Sequence, residues 1–184
     1  MLARCFTILV VALLTLSCSA PPEKEHQQAL QALLAARTAD TTIYAAEELA
    51  AAETALASYD RAVADRDYRQ ALGRALEARE KATLAPQVAA ERKAQARVQA
   101  DSLLAECNAV LSSLRTRMTA SGANRPTPAQ LVRLRQATRT RPSQIRVAEA
   151  LINQQNYKNA IAALTPILQS LRQDEAATTP RSGK

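Results

Sequence analysis

The residues able to do chemistry in this chain are few, and most stand alone. Among 184 residues there are three cysteines, one histidine and three glycines. Cys18 follows an apolar run in LLTLSCSAPPE, residues 13–23, where a thiol either stays inside a leader or becomes the first residue of a processed chain. Cys107 falls in Leu103, Cys107, Val110 and Leu114, spaced four, three and four. That spacing is one helical face, so Cys107 reads as a small buried hydrophobe. An intermolecular disulfide is the alternative, because Cys5 leaves with a leader and Cys18 is the candidate for modification. His26 lies on a polar stretch without the partners that nucleophilic catalysis or a metal centre requires, and it reads as a solvated tether residue. Gly73, Gly122 and Gly183 form no phosphate loop. No catalytic residue, metal, cofactor or small-molecule substrate is expected, and the chain does not read as an enzyme.

Charge gives a stronger functional clue. The net charge is +7, yet residues 23–106 carry eleven basic and fourteen acidic side chains, whereas residues 107–148 carry eight arginines and no acid. Within that block Arg133, Arg135, Arg139 and Arg141 form the candidate site for an anion or a partner. A guanidinium grips a carboxylate or phosphate with two parallel hydrogen bonds. Nucleic acid is not expected, because aromatic residues for base stacking are missing between the arginines. Envelope anions fit better: lipid phosphates, peptidoglycan carboxylates or an acidic protein. The alternative is a solvated face paired with the acidic half.

Helices must position these residues. Leu30, Leu33 and Leu34 mark a first helix from Gln27 to Ala39, with Thr41 or Thr42 capping a second that starts near Ile43. The seam Ala45, Leu49, Ala52, Leu56, Tyr59, Val63 alternates steps of four and three, as in a coiled coil. Asp67 and Gln70 stand at capping-box spacing, and a second seam follows through Tyr68, Ala71, Ala75, Ala78, Ala82, Ala85 and Ala89. Leu72 and Leu76 flank it and are expected to meet the first helix; Gly73 is expected to serve a close contact. Two seams joined by a short turn imply an antiparallel hairpin. Pro86 should bend or split the second helix, which runs from about 67 to 118. Thr127, Pro128 and Gln130 begin a helix, Pro142 begins another, and Asn156 caps a last one that bends near Pro166.

The expected fold class is all-α: an elongated Ala-rich antiparallel hairpin or bundle with a long kinked helix, plus a small C-terminal repeat-like module. The expected division is a signal peptide (1–17), a tether (18–26), the Ala-rich bundle (27–118), a linker (119–126), a basic helical module (127–172) and a disordered tail (173–184).

Residues 1–17 carry Arg4, then an apolar run of about a dozen residues, shorter than the roughly 20 needed to cross a bilayer. Leu16-Ser17-Cys18 resembles the lipobox of bacterial lipoproteins, with Thr15 at the position where the family usually has leucine. The resemblance implies multiple acylation of Cys18 and a bacterial envelope location; Ser19 favours the outer membrane, facing the periplasm. Cleavage after Cys18-Ser19-Ala20, giving an unlipidated secreted chain, is the alternative. The run from Tyr44-Ala45-Ala46-Glu47-Glu48-Leu49 through Ala55-Leu56 to Asp67-Tyr68 and Ala71 resembles a family of uncharacterised helical lipoproteins, a domain of unknown function, over residues 27–100. Ala46 stands where that family usually has proline. RPSQIRVAEALINQQNYKNAIAAL, residues 141–164, is similar to one tetratricopeptide repeat, through Ala148, the Asn156-Tyr157 turn and Ala160. This resemblance implies a helix pair that binds a peptide or partner. DYRQAL at 67–72 echoes NYKNAI at 156–161, so Tyr68 and Tyr157 are either aromatic wedges at helix turns or partner anchors. The functional expectation is a structural or partner-binding lipoprotein held to the membrane by its lipid. A pilotin-like assembly factor, with a tetratricopeptide-like groove for an outer-membrane or secretion protein, is the alternative.

Overall fold

The computed structural model describes residues 20–122 and 125–178. Cys18 and residues 1–17, which the sequence suggests are a leader, lie outside the described residues. All regular structure among those described is helical, in the order α1 (Glu23–Ala36), α2 (Ala39–Tyr44), α3 (Ala46–Ala64), α4 (Tyr68–Met118), α5 (Pro128–Asn153) and α6 (Tyr157–Thr178). The chain divides into two compact units, Met1–Arg92 and Lys93–Lys184. The division falls within α4 rather than in the 119–126 linker, because residues 93–118 supply the third helix that α5 and α6 need to bury their apolar faces.

In the first unit the alanine seam of α4 is almost fully buried: Ala71, Ala75, Ala78, Ala82 and Ala85 are 0% exposed. Its counterpart on α3, with Leu49, Ala52, Leu56 and Tyr59, is buried as well. Tyr59, Ala62, Ala71 and Ala75 form one cluster at the hairpin end. At the other end the Arg92 guanidinium donates to both oxygens of Glu48 at 2.9 and 3.0 Å, and to the Tyr44 carbonyl at 3.0 Å. The hairpin is therefore antiparallel. Helix α1 adds a third strut through buried Ala29, Leu33 and Ala36, with Arg37 paired to Glu53 and Arg79 bonded to Gln28.

Several local expectations change. Helix α1 starts at Glu23 within the expected tether, and His26 is half-buried rather than freely solvated: its ring stacks on Tyr59, centroids 4.1 Å apart and planes 9° from parallel. The cap of α2 is Thr38, whose hydroxyl accepts from the Thr41 N–H, while Thr41 Oγ1 accepts from the Thr38 N–H. Thr41 is itself buried, and its hydroxyl donates back to the Ala36 carbonyl. Leu72 and Leu76 are exposed rather than packed on α1. No neighbouring atom lies within 4 Å of a methyl built on Gly73, so the close contact expected there is absent.

In the second unit the core is leucine-rich. Leu111 and Leu114 of α4, Leu134 and Ile145 of α5, and Leu164 and Leu171 of α6 share one cluster. The capping box of Thr127 and Gln130 forms as its sequence predicts, with Pro128 at the first helical position. Pro142 does not begin a helix: α5 runs through it. A proline removes one backbone bond, and here Leu134 and Ala137 before it and Ile145 and Ala148 after it join one buried cluster, whose packing outweighs that loss. Helices α4 and α6 likewise run through Pro86 and Pro166. Helix α6 also continues to Thr178, into the segment expected to be a disordered tail.

The DYRQAL and NYKNAI echo extends into backbone geometry. Arg66 (φ 60°) and Gln155 (φ 59°) are both left-handed. The Asp67 N–H donates to the Ala62 carbonyl and Arg66 to Val63; Asn156 donates to Leu151 and Gln155 to Ile152. Both turns are Schellman closures made without glycine. Glycine at Arg66 should therefore stabilise the fold by about 1 kcal/mol, and Gly73→Ala by a similar amount, about 1 kcal/mol. Thermal unfolding followed by circular dichroism checks both. A lower melting temperature for either variant contradicts these backbone assignments.

Candidate anion-binding site

Helix α5 carries Arg133, Arg135, Arg139 and Arg141, and the helical repeat separates them into two sets. Arg133 and Arg141, eight residues apart, line one cleft of about 370 Å³ between α5 and α6, together with Gln136, Thr140, Gln144 and Asp174. Arg135 and Arg139 lie more than a quarter-turn away and share their side of α5 with Arg146. All three are exposed, and Val132 and Val147 nearby on α5 are 63% and 64% exposed.

Among the described residues, Arg133, Arg135, Arg139, Arg141 and Arg146 form no ion pair. Other charges of this unit are used within the bundle. Glu175 accepts from Ser113 at 2.8 Å, its carbonyl accepts from Arg117 at 3.1 Å, and Arg172 meets Glu106 at 2.6 Å. What remains on α5 is a row of planar donors without an ion pair among the described residues, with Glu149 the one acid on that helix, able to hold carboxylates or phosphates along one helix side.

The two tyrosines differ in availability. Tyr157 is 7% exposed and packs with Ala100 and Ala160, so its ring serves the core and is not presented to a partner. Tyr68 is half-buried beside Arg66, Arg69 and Leu72. Tyr59, which its sequence spacing places on the seam of α3, is 3% exposed with no partner for its hydroxyl among the described residues. Burial pushes its phenol above the usual tyrosine range, and the charges of Glu23, Asp60 and Glu25 add to the effect.

Sequence reasoning missed Gln136, Thr140, Gln144, Asp174 and the alignment of Arg146 with Arg135 and Arg139. The signal was present in the spacing 133, 136, 140, 141, 144, but a helix boundary placed at Pro142 divided it.

Cys107 is fully buried, and its thiol lies 3.9 Å from the Leu164 carbonyl. Burial raises its pKa above the ordinary thiol value, Glu106 reinforces this and Arg172 opposes it. A raised pKa leaves less thiolate near neutral pH, and burial blocks the reagent as well. Alkylation of Cys107 in the folded chain at pH 8 should therefore run at least about 100-fold slower than in denaturant. Equal rates in the two conditions would contradict its place in the core.

No family model, no curated protein and no solved structure matches this chain.

Proposed function

We propose that the protein is a non-enzymatic lipoprotein of a bacterial envelope, anchored through acylated Cys18 to the outer membrane and facing the periplasm. Its second unit contacts an anionic envelope component through Arg135, Arg139 and Arg146. The observation that carries the contact is the row itself: three exposed arginines on one side of α5 with no carboxylate partner among the described residues. Multiple acyl chains hold a protein firmly, since each buried CH₂ contributes about 0.8 kcal/mol. An arginine near an anionic surface adds about 1 kcal/mol.

The family of uncharacterised helical lipoproteins that the sequence resembles is consistent with the Ala-rich three-helix bundle of the first unit. A second reading, an assembly factor that holds a polypeptide in a helix-pair groove, draws on α5 and α6. Ala148 and Ala160 are both 0% exposed, Ala148 in the leucine-rich cluster and Ala160 beside Ala100 and Tyr157.

Two measurements separate anchor from contact. Acyl-chain labelling with membrane fractionation should give a labelled, membrane-bound chain, and Cys18→Ser should lose both properties together; a soluble, unlabelled natural chain contradicts the anchor. The triple variant Arg135→Gln, Arg139→Gln, Arg146→Gln should bind peptidoglycan or anionic vesicles roughly 100-fold more weakly at low salt, at about 1 kcal/mol per arginine. Unchanged binding would make the row a solvated surface only.

A further inference from the structure

The start of α1 lies at the turn that joins α3 to α4, and three contacts fix it there. The His26 ring stacks on Tyr59 of α3, with centroids 4.1 Å apart. Arg79 of α4 donates to Gln28 Oε1 at 2.6 Å. Ala20 and Pro22 line one hollow of about 470 Å³ with Arg66, Tyr68, Arg69 and Leu72. Cys18 precedes Ala20 by two residues, a span of at most about 7 Å when fully extended. A surface that holds Cys18 must therefore come close to this turn.

The side chains around the turn suit a lipid surface. Tyr68, Leu72 and Leu76 follow at four-residue steps and share one side of α4. Leu72 is 38% and Leu76 40% exposed, and Tyr68 is half-buried, so the strip is left partly uncovered by the rest of the unit. Arg66 and Arg69 are exposed beside it and form no ion pair among the described residues. Tyrosine has an apolar ring with a polar tip, and arginine has an apolar stem beneath its charge; both fit the headgroup level of a bilayer. The charges of the turn balance, with Asp65 and Asp67 against Arg66 and Arg69. Asp67 is engaged within the protein, accepting from the Gln70 N–H at 2.9 Å. An anionic polymer gains little from such a set, whereas a zwitterionic headgroup offers a phosphate to each guanidinium and a cation to Asp65. Three apolar side chains also fall short of the roughly 800 Å² per partner that a stable protein interface buries. A tethered surface needs no such area, because the acyl chains supply the affinity and the second contact is intramolecular.

We infer that this turn rests on the zwitterionic phospholipid surface in which the acyl chains of Cys18 are held, with Tyr68 and Leu72 at headgroup level and Arg66 and Arg69 on phosphates. The inference rests on the acylated Cys18 of the proposed function and adds an orientation to it: the first unit meets the membrane by its α3–α4 turn, not by the length of its helices. The contact is distinct from the arginine row of α5, which calls for an anionic surface.

The test takes the chain from Cys18 to Lys184 and couples the Cys18 thiol to a maleimide-headgroup lipid in phosphatidylcholine vesicles, so the contact is read whether or not a cell acylates that residue. Cys107→Ala confines coupling to one thiol. The chain has no tryptophan, so Leu72→Trp or Leu84→Trp supplies a single reporter on α4. Leu84 is 38% exposed, as Leu72 is, but lies twelve residues further along the helix, about 18 Å. With phosphatidylcholine brominated near the carbonyl end of its acyl chains, the Leu72→Trp reporter should be quenched at least about twofold, since an interfacial contact sinks its apolar side about 5–10 Å. The Leu84→Trp reporter should keep its emission. Adding Arg66→Glu and Arg69→Glu should abolish the quenching while leaving the helical circular dichroism and the tethered amount unaltered. Acyl labelling of the natural chain reports on the anchor separately: an unlabelled natural chain with a quenched tethered one removes the anchor and supports the surface. No quenching of the tethered Leu72→Trp chain, equal quenching at both positions, or quenching only where anionic lipid replaces phosphatidylcholine would overturn the assignment. So would a concentration-dependent blue shift of the Leu72→Trp chain without vesicles, which gives the strip to a second copy.

Discussion

The interaction on which the first unit depends is the contact of helix backbones through alanine. Beyond residue 17 the chain has four tyrosines and neither phenylalanine nor tryptophan, so it lacks the side chains that fill a wide interior. It buries apolar surface instead by drawing helices close, and a seam that is alanine at every turn from 71 to 89 permits that approach. Each methyl contributes little, on the order of 1 kcal/mol, so stability comes from repetition along the seam. Tyr59 of α3 packs with Ala71 and Ala75 of α4, and Leu49 and Leu56 are buried on the same helix. The polar ties at the ends, Arg92 with Glu48 and Arg37 with Glu53, fix register more than they add stability, since both arginines are substantially exposed.

The second unit solves the same problem with leucine and isoleucine, and its surface is correspondingly released for other uses. Its core draws on residues from α4, α5 and α6 that recur at three- and four-residue steps. The remaining sides of α5 carry arginines that stability does not require. One side is an open row suited to an extended anionic surface; the other borders a cleft shared with Asp174 of α6. The same helix thus presents arginines on two different faces.

Much of the scaffold was legible in the sequence, because buried alanine seams and helix caps are local signals. The seams from 45 to 63 and from 71 to 89, the Asp67 start and the Thr127 box follow from spacing and hydrogen-bonding groups alone. Proline was read too strongly. Pro142 lacks one donor, but buried neighbours on both sides outweigh that loss, and the spurious break hid the face that unites Arg133 with Gln144. His26 was misread for a related reason: no local pattern announces a ring that stacks on a tyrosine 33 positions later in the chain. Asp174, the α6 contribution to the groove, was equally out of reach, since only the fold brings it beside Arg133.

The central claim, that a close alanine contact carries the first unit while a separate leucine core carries the second, is tested most directly by hydrogen exchange along α4, the one helix that belongs to both. Ala78→Leu forces a bulky side chain into a position that is 0% exposed, which costs about 1–3 kcal/mol. Amides from 71 to 89 should then lose protection together, while those around Cys107, Leu111 and Leu114 keep theirs. Unchanged protection at 71–89, or equal loss along the whole of α4, would contradict the account.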